Sequence, residues 1–174
     1  CFNSLKLDGN GLVIPAGPLR ERLNSIKNYD IVLINGNFNK YTKNFINKIK
    51  GINPNLKIFT ARYIPKNYSS LKKKKFYVFS GIGNPHTFSD TLKSLKIKFY
   101  EHEKFPDHYN YTDLDLQKLK KLAKSKGCQL LTTEKDYLRI KESSRKNINF
   151  LKVELSIDKK KQFYKYLNKK LWNT

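Results

Sequence analysis

The segment EKFPDHYNYTDLD contains the pair of side chains with the clearest potential for chemistry, Asp107 and His108. An imidazole oriented by a carboxylate can take part in proton transfer near neutral pH. Neighbouring side chains need not point the same way, so a solvent-facing loop histidine remains the alternative. The other two histidines, His86 and His102, are expected to be structural.

A second candidate is the turn PAGPLRE, which places Arg20 next to Glu21. Its two prolines restrict the backbone and its glycine permits a tight turn, so the turn presents both charges in a defined way. Arginine can bind a phosphate through two N–H groups, and glutamate can supply an oxygen to Mg²⁺. The turn therefore predicts a phosphate-proximal or Mg²⁺-proximal pair, with an exposed ion pair at a helix start as the alternative.

Two further motifs are weaker. In TTEKD, Lys135 could bind a phosphate, although a lysine before an aspartate, here Asp136, is more often a surface ion pair. GIGNPH matches the dinucleotide fingerprint G-x-G-x-x-G only in its first two glycines, with His86 in place of the third. A tight turn that needs glycine explains the same string.

Short β-type runs alternate along the chain with amphipathic helical patterns. The predicted strands are 30–36, 55–64, 76–83, 97–101, 128–133 and 147–155. The predicted helices are 18–28, 39–51, 84–96, 112–127, a short one from 134 and one that closes the chain from 158. This alternation indicates an α/β fold, with three α/β/α layers around a mostly parallel sheet. Three polar loops, at 80–85, 102–112 and 132–136, then follow strands, where such folds bind ligands.

The composition indicates a basic, folded protein. The 174 residues carry 36 Lys and Arg against 14 Asp and Glu, which gives a formal net charge of +22. Such a charge attracts an anionic partner, such as a nucleic acid, an acidic membrane surface or a phosphorylated substrate. Lysine-rich genome composition explains the same excess, because few of the basic residues are arginines. Two cysteines exclude a disulfide framework, and no apolar run approaches the roughly 18 residues of a membrane span.

Four motifs together closely resemble the tetraacyldisaccharide 4′-kinase family. They are GNGLVIPAGPLRE, FSGIGNPHTF, KFPDHYNYT and LLTTEKD, in this order. The resemblance implies a lipid A biosynthesis kinase of Gram-negative bacteria. Such an enzyme transfers the γ-phosphate of ATP, with Mg²⁺, to the 4′-hydroxyl of tetraacyldisaccharide 1-phosphate and gives lipid IVA. It also implies a monomer bound peripherally at the cytoplasmic face of the inner membrane, with an acylated disaccharide phosphate and an anionic lipid surface as partners.

The resemblance also implies roles for single residues. His108 matches the histidine that partners a catalytic aspartate, and Asp107 is its neighbour in the motif. Arg20 and Glu21 match an active-site pair near the phosphates, with Glu21 as the metal ligand. The remaining signature positions are Lys135 and Asp136. The family's two-lobe fold makes residues 1–71 the end of a P-loop lobe and 72–174 a smaller C-terminal α/β lobe, with 72–75 near the linker.

The sequence departs from the family in one respect, because it contains no P-loop string G-x-x-x-x-G-K-[ST]. It also begins with Cys and has no Met, so we expect a fragment whose N-terminal part, with the P-loop and the catalytic aspartate, lies upstream. ATP and Mg²⁺ would be bound mainly by that part, and the fragment by itself is expected to be inactive. Two alternatives remain: a basic nucleic-acid-binding α/β module, and an accessory lobe that only holds an acylated sugar phosphate.

Overall fold

The computed structural model describes residues 1–172. Eight strands follow one another within these described residues: β1 (Phe2–Asn3), β2 (Ile31–Asn35), β3 (Lys57–Pro65), β4 (Lys75–Ser80), β5 (Lys98–Lys104), β6 (Gln129–Thr133), β7 (Ile148–Leu151) and β8 (Val153–Ile157). The α-helices are α1 (Lys40–Ile52), α2 (Tyr68–Leu71), α3 (Pro85–Ser94), α4 (Asp113–Ser125), α5 (Glu134–Arg139) and α6 (Lys160–Trp172). The predicted α/β class is confirmed.

The chain divides into two compact units. The first comprises residues 1–64 and the residues from Leu155 onward, and the second comprises Pro65–Glu154. The first unit thus combines two segments that are distant in the sequence, and β8 lies next to β3 in its sheet. The boundary expected at residue 71 falls inside the second unit, and α6 groups with the first unit rather than with the second.

The first unit is built on a four-stranded sheet in the order β1-β2-β3-β8, in which β1, β2 and β3 run parallel. Helix α1 packs its apolar face on this sheet through Phe45 and Ile49, which are buried together with Val32 and Ile34 of β2. The helix begins at an Asn39 cap, whose side chain accepts a hydrogen bond from the backbone N–H of Thr42.

The second unit contains a parallel sheet in the order β5-β4-β6-β7. Strand β4 is central and buried on both faces, which explains its almost continuous apolar sequence KFYVFS. Phe76 and Val78 face a core that includes α3, whereas Tyr77 and Phe79 face a core that includes α4. Helices therefore cover both faces of the sheet, in three α/β/α layers.

Two predicted elements were wrong. The helix expected over 18–28 is only a 3-10 helix at Leu23–Asn28, because Leu19 pairs with Val13 in an isolated bridge that holds the preceding backbone in a turn. The strand expected over 147–155 is two strands, β7 and β8, which belong to different sheets. Leu19 and Ile26 are nevertheless buried, as their apolar spacing suggested.

None of the helices within residues 1–172 combines the length and the apolar character that crossing a bilayer requires.

Candidate functional site

The candidate site lies at the carboxyl end of β4, in the second unit. The chain leaves β4 towards β5 on one side of the sheet and later returns to form β6 on the other side. Ligands of open α/β sheets bind where the strand order reverses in this way. Gly81 follows β4 at this point. A side chain at Gly81 would meet the backbone oxygen of Pro106 at 3.0 Å and the side chains of Tyr109 and Tyr111 at 3.1 and 3.0 Å, so the loops pack closely around it.

A buried carboxylate anchors this end of the sheet. Asp136, in the first turn of α5, is fully buried, and its Oδ2 accepts hydrogen bonds from the backbone N–H of Gly81 at 3.1 Å and from Oγ1 of Thr133 at 2.7 Å. Oγ1 of Thr133 in turn accepts from the backbone N–H of Asp136, which caps the helix. Asp136 therefore links the end of β4 to the start of α5.

Arg139 connects this anchor to the histidine. Its Nη1 lies 3.5 Å from Oδ1 of Asp136 and donates to the carbonyl oxygen of Gly81 at 3.3 Å. Its Nη2 lies 2.7 Å from Nδ1 of His108. The backbone N–H of His108 also donates to the carbonyl oxygen of Gly81, at 3.1 Å. The histidine is thus held through both its backbone and its ring.

His108 combines a constrained backbone with an open side chain. Its φ of 63° lies in the left-handed region, which costs a non-glycine residue about 1 kcal/mol. Such backbone conformations cluster at functional sites, where the surrounding structure enforces them. The side chain is 70% exposed, so the ring stands ready for a partner rather than packed in the core.

Asp107 and Lys135 complete the surroundings of the ring. Oδ2 of Asp107 lies 3.8 Å from Nε2 of His108, and Oδ1 accepts a hydrogen bond from the backbone N–H of His108 at 2.9 Å. Nζ of Lys135 lies 3.5 Å from Nε2 of His108 and 3.9 Å from Oδ1 of Asp107. Both side chains are about half exposed. Positive and negative charge therefore meet at Nε2, the ring nitrogen that Arg139 leaves free.

His102 has a structural role, in contrast to His108. It lies within β5 rather than in the loop predicted to start there. Its Nε2 and Nδ1 make hydrogen bonds to Oγ of Ser80 and of Ser89, at 2.8 and 2.6 Å. Burial, with smaller contributions from Lys104 and His86, lowers the pKa of His102 from 6.5 to about 4. The ring is therefore neutral at physiological pH.

The Arg20–Glu21 pair belongs to the first unit. Both residues are exposed, and both line a pocket of about 390 Å³ next to the 3-10 helix. The hydroxyl of Tyr29 donates to the carboxylate of Glu21, at 2.8 Å from Oε1 and 3.1 Å from Oε2. This bond and the negative charge of Glu21 raise the pKa of Tyr29. Glu21 is thus a solvent-accessible carboxylate with a fixed orientation.

Within residues 1–172, no group of three or more His, Cys, Asp or Glu side chains is arranged to hold a metal ion. A metal ion near Glu21 would need further oxygen ligands from elsewhere, and substrate phosphates commonly supply them to Mg²⁺. The exposed carboxylate fits such a shared site.

The structure brings four of the six predicted site residues together. Asp107, His108, Lys135 and Asp136 meet at the end of β4, but Asp136 is a buried anchor rather than a group open to a phosphate. Sequence reasoning missed Arg139, and it missed that the backbone of Gly81 bonds to Asp136, Arg139 and His108. Arg139 lies three residues after Asp136, the i,i+3 spacing that places two side chains on the same face of a helix, and this spacing was the available signal.

A solved structure shows the same fold. The chain is similar to the crystal structure of the "apo" form of LpxK from Aquifex aeolicus in complex with ATP, with a TM-score of 0.63 and 23% sequence identity. The match covers 96% of this chain and 50% of that one. The two-sheet α/β architecture is therefore shared with a solved structure.

Sequence comparisons then give the family. The sequence model of the LpxK family, described as tetraacyldisaccharide-1-P 4′-kinase, matches residues 2–172. The chain belongs to this family. It is 42% identical over 162 residues to the tetraacyldisaccharide 4′-kinase of Pelagibacter ubique (strain HTCC1062), which covers 92% of this chain and 51% of that protein. It is 38% identical over 157 residues to the enzyme of the same name from Rickettsia akari (strain Hartford), covering 90% of this chain and 46% of the relative.

The chain thus spans about half the length of the curated relatives that it matches. The expected family is confirmed, and the nucleic-acid-binding alternative finds no support in these comparisons.

Proposed function

We propose that this chain forms part of an ATP-dependent kinase that phosphorylates the 4′-hydroxyl of tetraacyldisaccharide 1-phosphate and so produces lipid IVA. Family membership over residues 2–172 supports the reaction class. The observation that carries the proposal is the exposed ring of His108 at the carboxyl end of β4. Arg139 holds this ring, and the buried Asp136 holds Arg139. A rigidly placed acid–base group in an open site is what phosphoryl transfer to an alcohol requires.

The chemistry assigned to this site is proton removal from the acceptor hydroxyl. A pair formed by His108 and the family's catalytic aspartate takes the proton as the oxygen attacks the γ-phosphorus of ATP and ADP leaves. Asp107 places a negative charge beside Nε2, and Lys135 offers a positive charge to a phosphate of the substrate. Phosphoryl transfer depends mainly on positioning and charge neutralisation, and these residues serve both.

The nucleotide side of the reaction needs residues beyond those in this sequence, because no P-loop string is present. We assign the first unit to the P-loop kinase lobe. There Arg20 would contact nucleotide phosphates, and Glu21 would share Mg²⁺ with their oxygens. Mg²⁺ supplies charge neutralisation for the transferred phosphoryl group. By itself the chain is expected to be inactive.

The surface suits an acylated substrate at an anionic membrane, to which the protein would bind peripherally from the cytoplasmic side. Helix α6 exposes Tyr164, Leu171 and Trp172 beside several lysines. Each basic side chain near an anionic bilayer adds roughly 1 kcal/mol of attraction, and exposed aromatic and aliphatic groups insert at the lipid interface. Sedimentation with vesicles that contain anionic lipid should bring the protein down at low salt and release it at high salt, whereas zwitterionic vesicles should bind it weakly.

The kinase proposal is tested with a chimaera, since the chain matches about half of its relatives. The segment of the Pelagibacter ubique protein that precedes the matched region is fused to this chain. Transfer of ³²P from [γ-³²P]ATP to tetraacyldisaccharide 1-phosphate is then followed by thin-layer chromatography. Labelled product that needs both Mg²⁺ and His108 supports the proposal. A folded chimaera that binds the lipid without transferring phosphate would instead favour the accessory-lobe alternative.

A further inference from the structure

We infer that Arg139 is a positioning residue that fixes the tautomer of His108, so that Nδ1 accepts a hydrogen bond and Nε2 carries the proton. This inference concerns the same site as the proposed function, but its primary test needs no measurement of phosphate transfer.

Nη2 of Arg139 lies 2.7 Å from Nδ1 of His108, which is hydrogen-bond distance. A guanidinium group is always protonated and can only donate hydrogen bonds. Nδ1 must therefore present its lone pair to the arginine. In a neutral imidazole the single proton then resides on Nε2.

Two cations, Arg139 and Lys135, lie near the two ring nitrogens of His108 and favour opposite tautomers. Nζ of Lys135 lies near the other ring nitrogen, Nε2, but at 3.5 Å, which is at the limit of a hydrogen bond. If the lysine imposed its preference, Nε2 would accept and Nδ1 would carry the proton. The arginine contact is shorter, and its donor is only 21% exposed, whereas the lysine side chain is 51% exposed. Arg139 therefore decides the tautomer.

Arg139 is held in place by its ion pair. Its guanidinium is paired with Asp136, which is fully buried and bound to Gly81 and Thr133. A charge-assisted contact to a buried partner loses little to solvent screening compared with a contact on the surface. The order from the core outward is thus Asp136, which Thr133 and Gly81 hold, then Arg139, then His108.

One consequence concerns the proposed carboxylate–imidazole pair. Nε2 offers an N–H rather than a lone pair, so the imidazole is the hydrogen-bond donor of that pair. The family's catalytic aspartate is then the group that accepts the substrate proton. Arg139 acts through His108 without touching the substrate.

The test is nuclear magnetic resonance of the ¹⁵N-labelled protein at neutral pH. Long-range ¹⁵N–¹H spectra distinguish protonated from unprotonated ring nitrogens, and a His108→Gln variant identifies the His108 signals among the three histidines. An exposed neutral imidazole without a fixed partner averages between both tautomers. In the neutral ring of the wild type we expect Nδ1 to be unprotonated and Nε2 to carry the proton.

Three variants sharpen the result. Arg139→Gln and Arg139→Lys should both move Nδ1 towards the averaged position, since neither has the guanidinium fork that contacts Asp136 through Nη1 and His108 through Nη2. Arg139→Lys keeps a cation beside Asp136, and it decides the question if Arg139→Gln does not fold. Lys135→Gln is the matched control and should leave the Nδ1 signal unchanged, and the His102 signals should not move in any variant.

A protonated Nδ1 in the wild type would overturn the inference, as would averaged tautomers that neither arginine variant alters. Neither result would bear on the kinase proposal, which the phosphate-transfer assay decides separately. In the active chimaera, Arg139→Lys should lower kcat more than it raises KM for the lipid. If Arg139→Lys changed the tautomer of His108 but kept the wild-type kcat, the tautomer would not matter for catalysis. That result would also contradict the positioning role of Arg139.

Discussion

The backbone N–H of Gly81 donates a hydrogen bond to Oδ2 of the buried Asp136 across 3.1 Å. The two residues are far apart in the sequence, yet this bond joins the end of the central strand β4 to the first turn of α5. The carbonyl oxygen of the same glycine accepts from Arg139 and from the backbone of His108. One peptide segment therefore organises both the anchor and the exposed ring.

Asp136→Asn should destabilise the protein by about 2 kcal/mol, because an amide cannot satisfy all of the buried donors that now meet the carboxylate. Arg139 would also lose its charge partner. Urea unfolding followed by circular dichroism measures the change. Asp90→Asn, on the exposed face of α3, is the matched control and should change the free energy of unfolding by less than about 0.5 kcal/mol. Similar stabilities of the two variants would show that Asp136 is not an anchor.

Gly81→Ala should destabilise the protein by about 1–3 kcal/mol, since the added methyl group would press on backbone and ring atoms at 3.0–3.1 Å. Gly51→Ala is the matched control. A methyl group at Gly51 meets nothing within 4 Å, and alanine in helix α1 should raise stability by about 0.5 kcal/mol. Thermal unfolding of both variants compares these opposite shifts. A neutral or stabilising Gly81→Ala would contradict the close packing of the loops around this glycine.

Stability should fall in acid because of His102. Its pKa is lowered from 6.5 to about 4 in the folded protein, so the unfolded chain binds more protons between these two values. The contribution of His102 to the free energy of unfolding is fully present above about pH 6.5 and is lost as the pH falls towards 4. At about pH 4.5 the loss from this residue is about 2 kcal/mol.

The check is the difference in the free energy of unfolding between about pH 7 and about pH 4.5. His102→Gln should make this difference smaller than in the wild type, whatever its stability at neutral pH. His86→Gln, at an exposed position, is the comparison and should retain most of the wild-type difference, because His86 contributes less to the shift of His102 than burial does. A wild-type difference that persists in His102→Gln would assign the acid sensitivity to other groups.

Glu21→Gln in the active chimaera should raise the Mg²⁺ concentration needed for half-maximal activity about tenfold or more, because an amide oxygen is a weaker ligand than a carboxylate. Tyr29→Phe separates ligation from orientation, since it removes only the hydroxyl that donates to Glu21. Its Mg²⁺ requirement should rise less. An unchanged Mg²⁺ requirement in Glu21→Gln would remove Glu21 from the metal site.

The sequence predicted the architecture well where apolar periodicity is strong. Helix α4 begins at the predicted Thr112, with the reciprocal Thr112–Asp115 capping box, and the buried strand β4 follows from its apolar run. The pattern misled where local backbone bonding overrode it. The bridge between Val13 and Leu19 replaced the first half of a helix that apolar spacing alone would allow.

The site was predictable in its motifs but not in its connections. The carboxyl ends of parallel strands meet at one edge, so the convergence of the loops after β4, β5 and β6 followed from the fold class. The burial of Asp136 did not, because a charged residue in a helix's first turn usually faces solvent. The partnership of Arg139 with His108 joins residues 31 positions apart and depends on side-chain rotamers, which no sequence pattern encodes.

The most direct test of the account is steady-state kinetics of His108→Ala in the chimaera that carries a P-loop segment. Removal of the positioned imidazole should lower kcat about 100-fold or more, with KM for ATP and for tetraacyldisaccharide 1-phosphate changed only a few fold. His86→Ala should keep wild-type kinetics. Normal turnover in His108→Ala, with any loss confined to KM, would contradict a role for His108 in the chemical step.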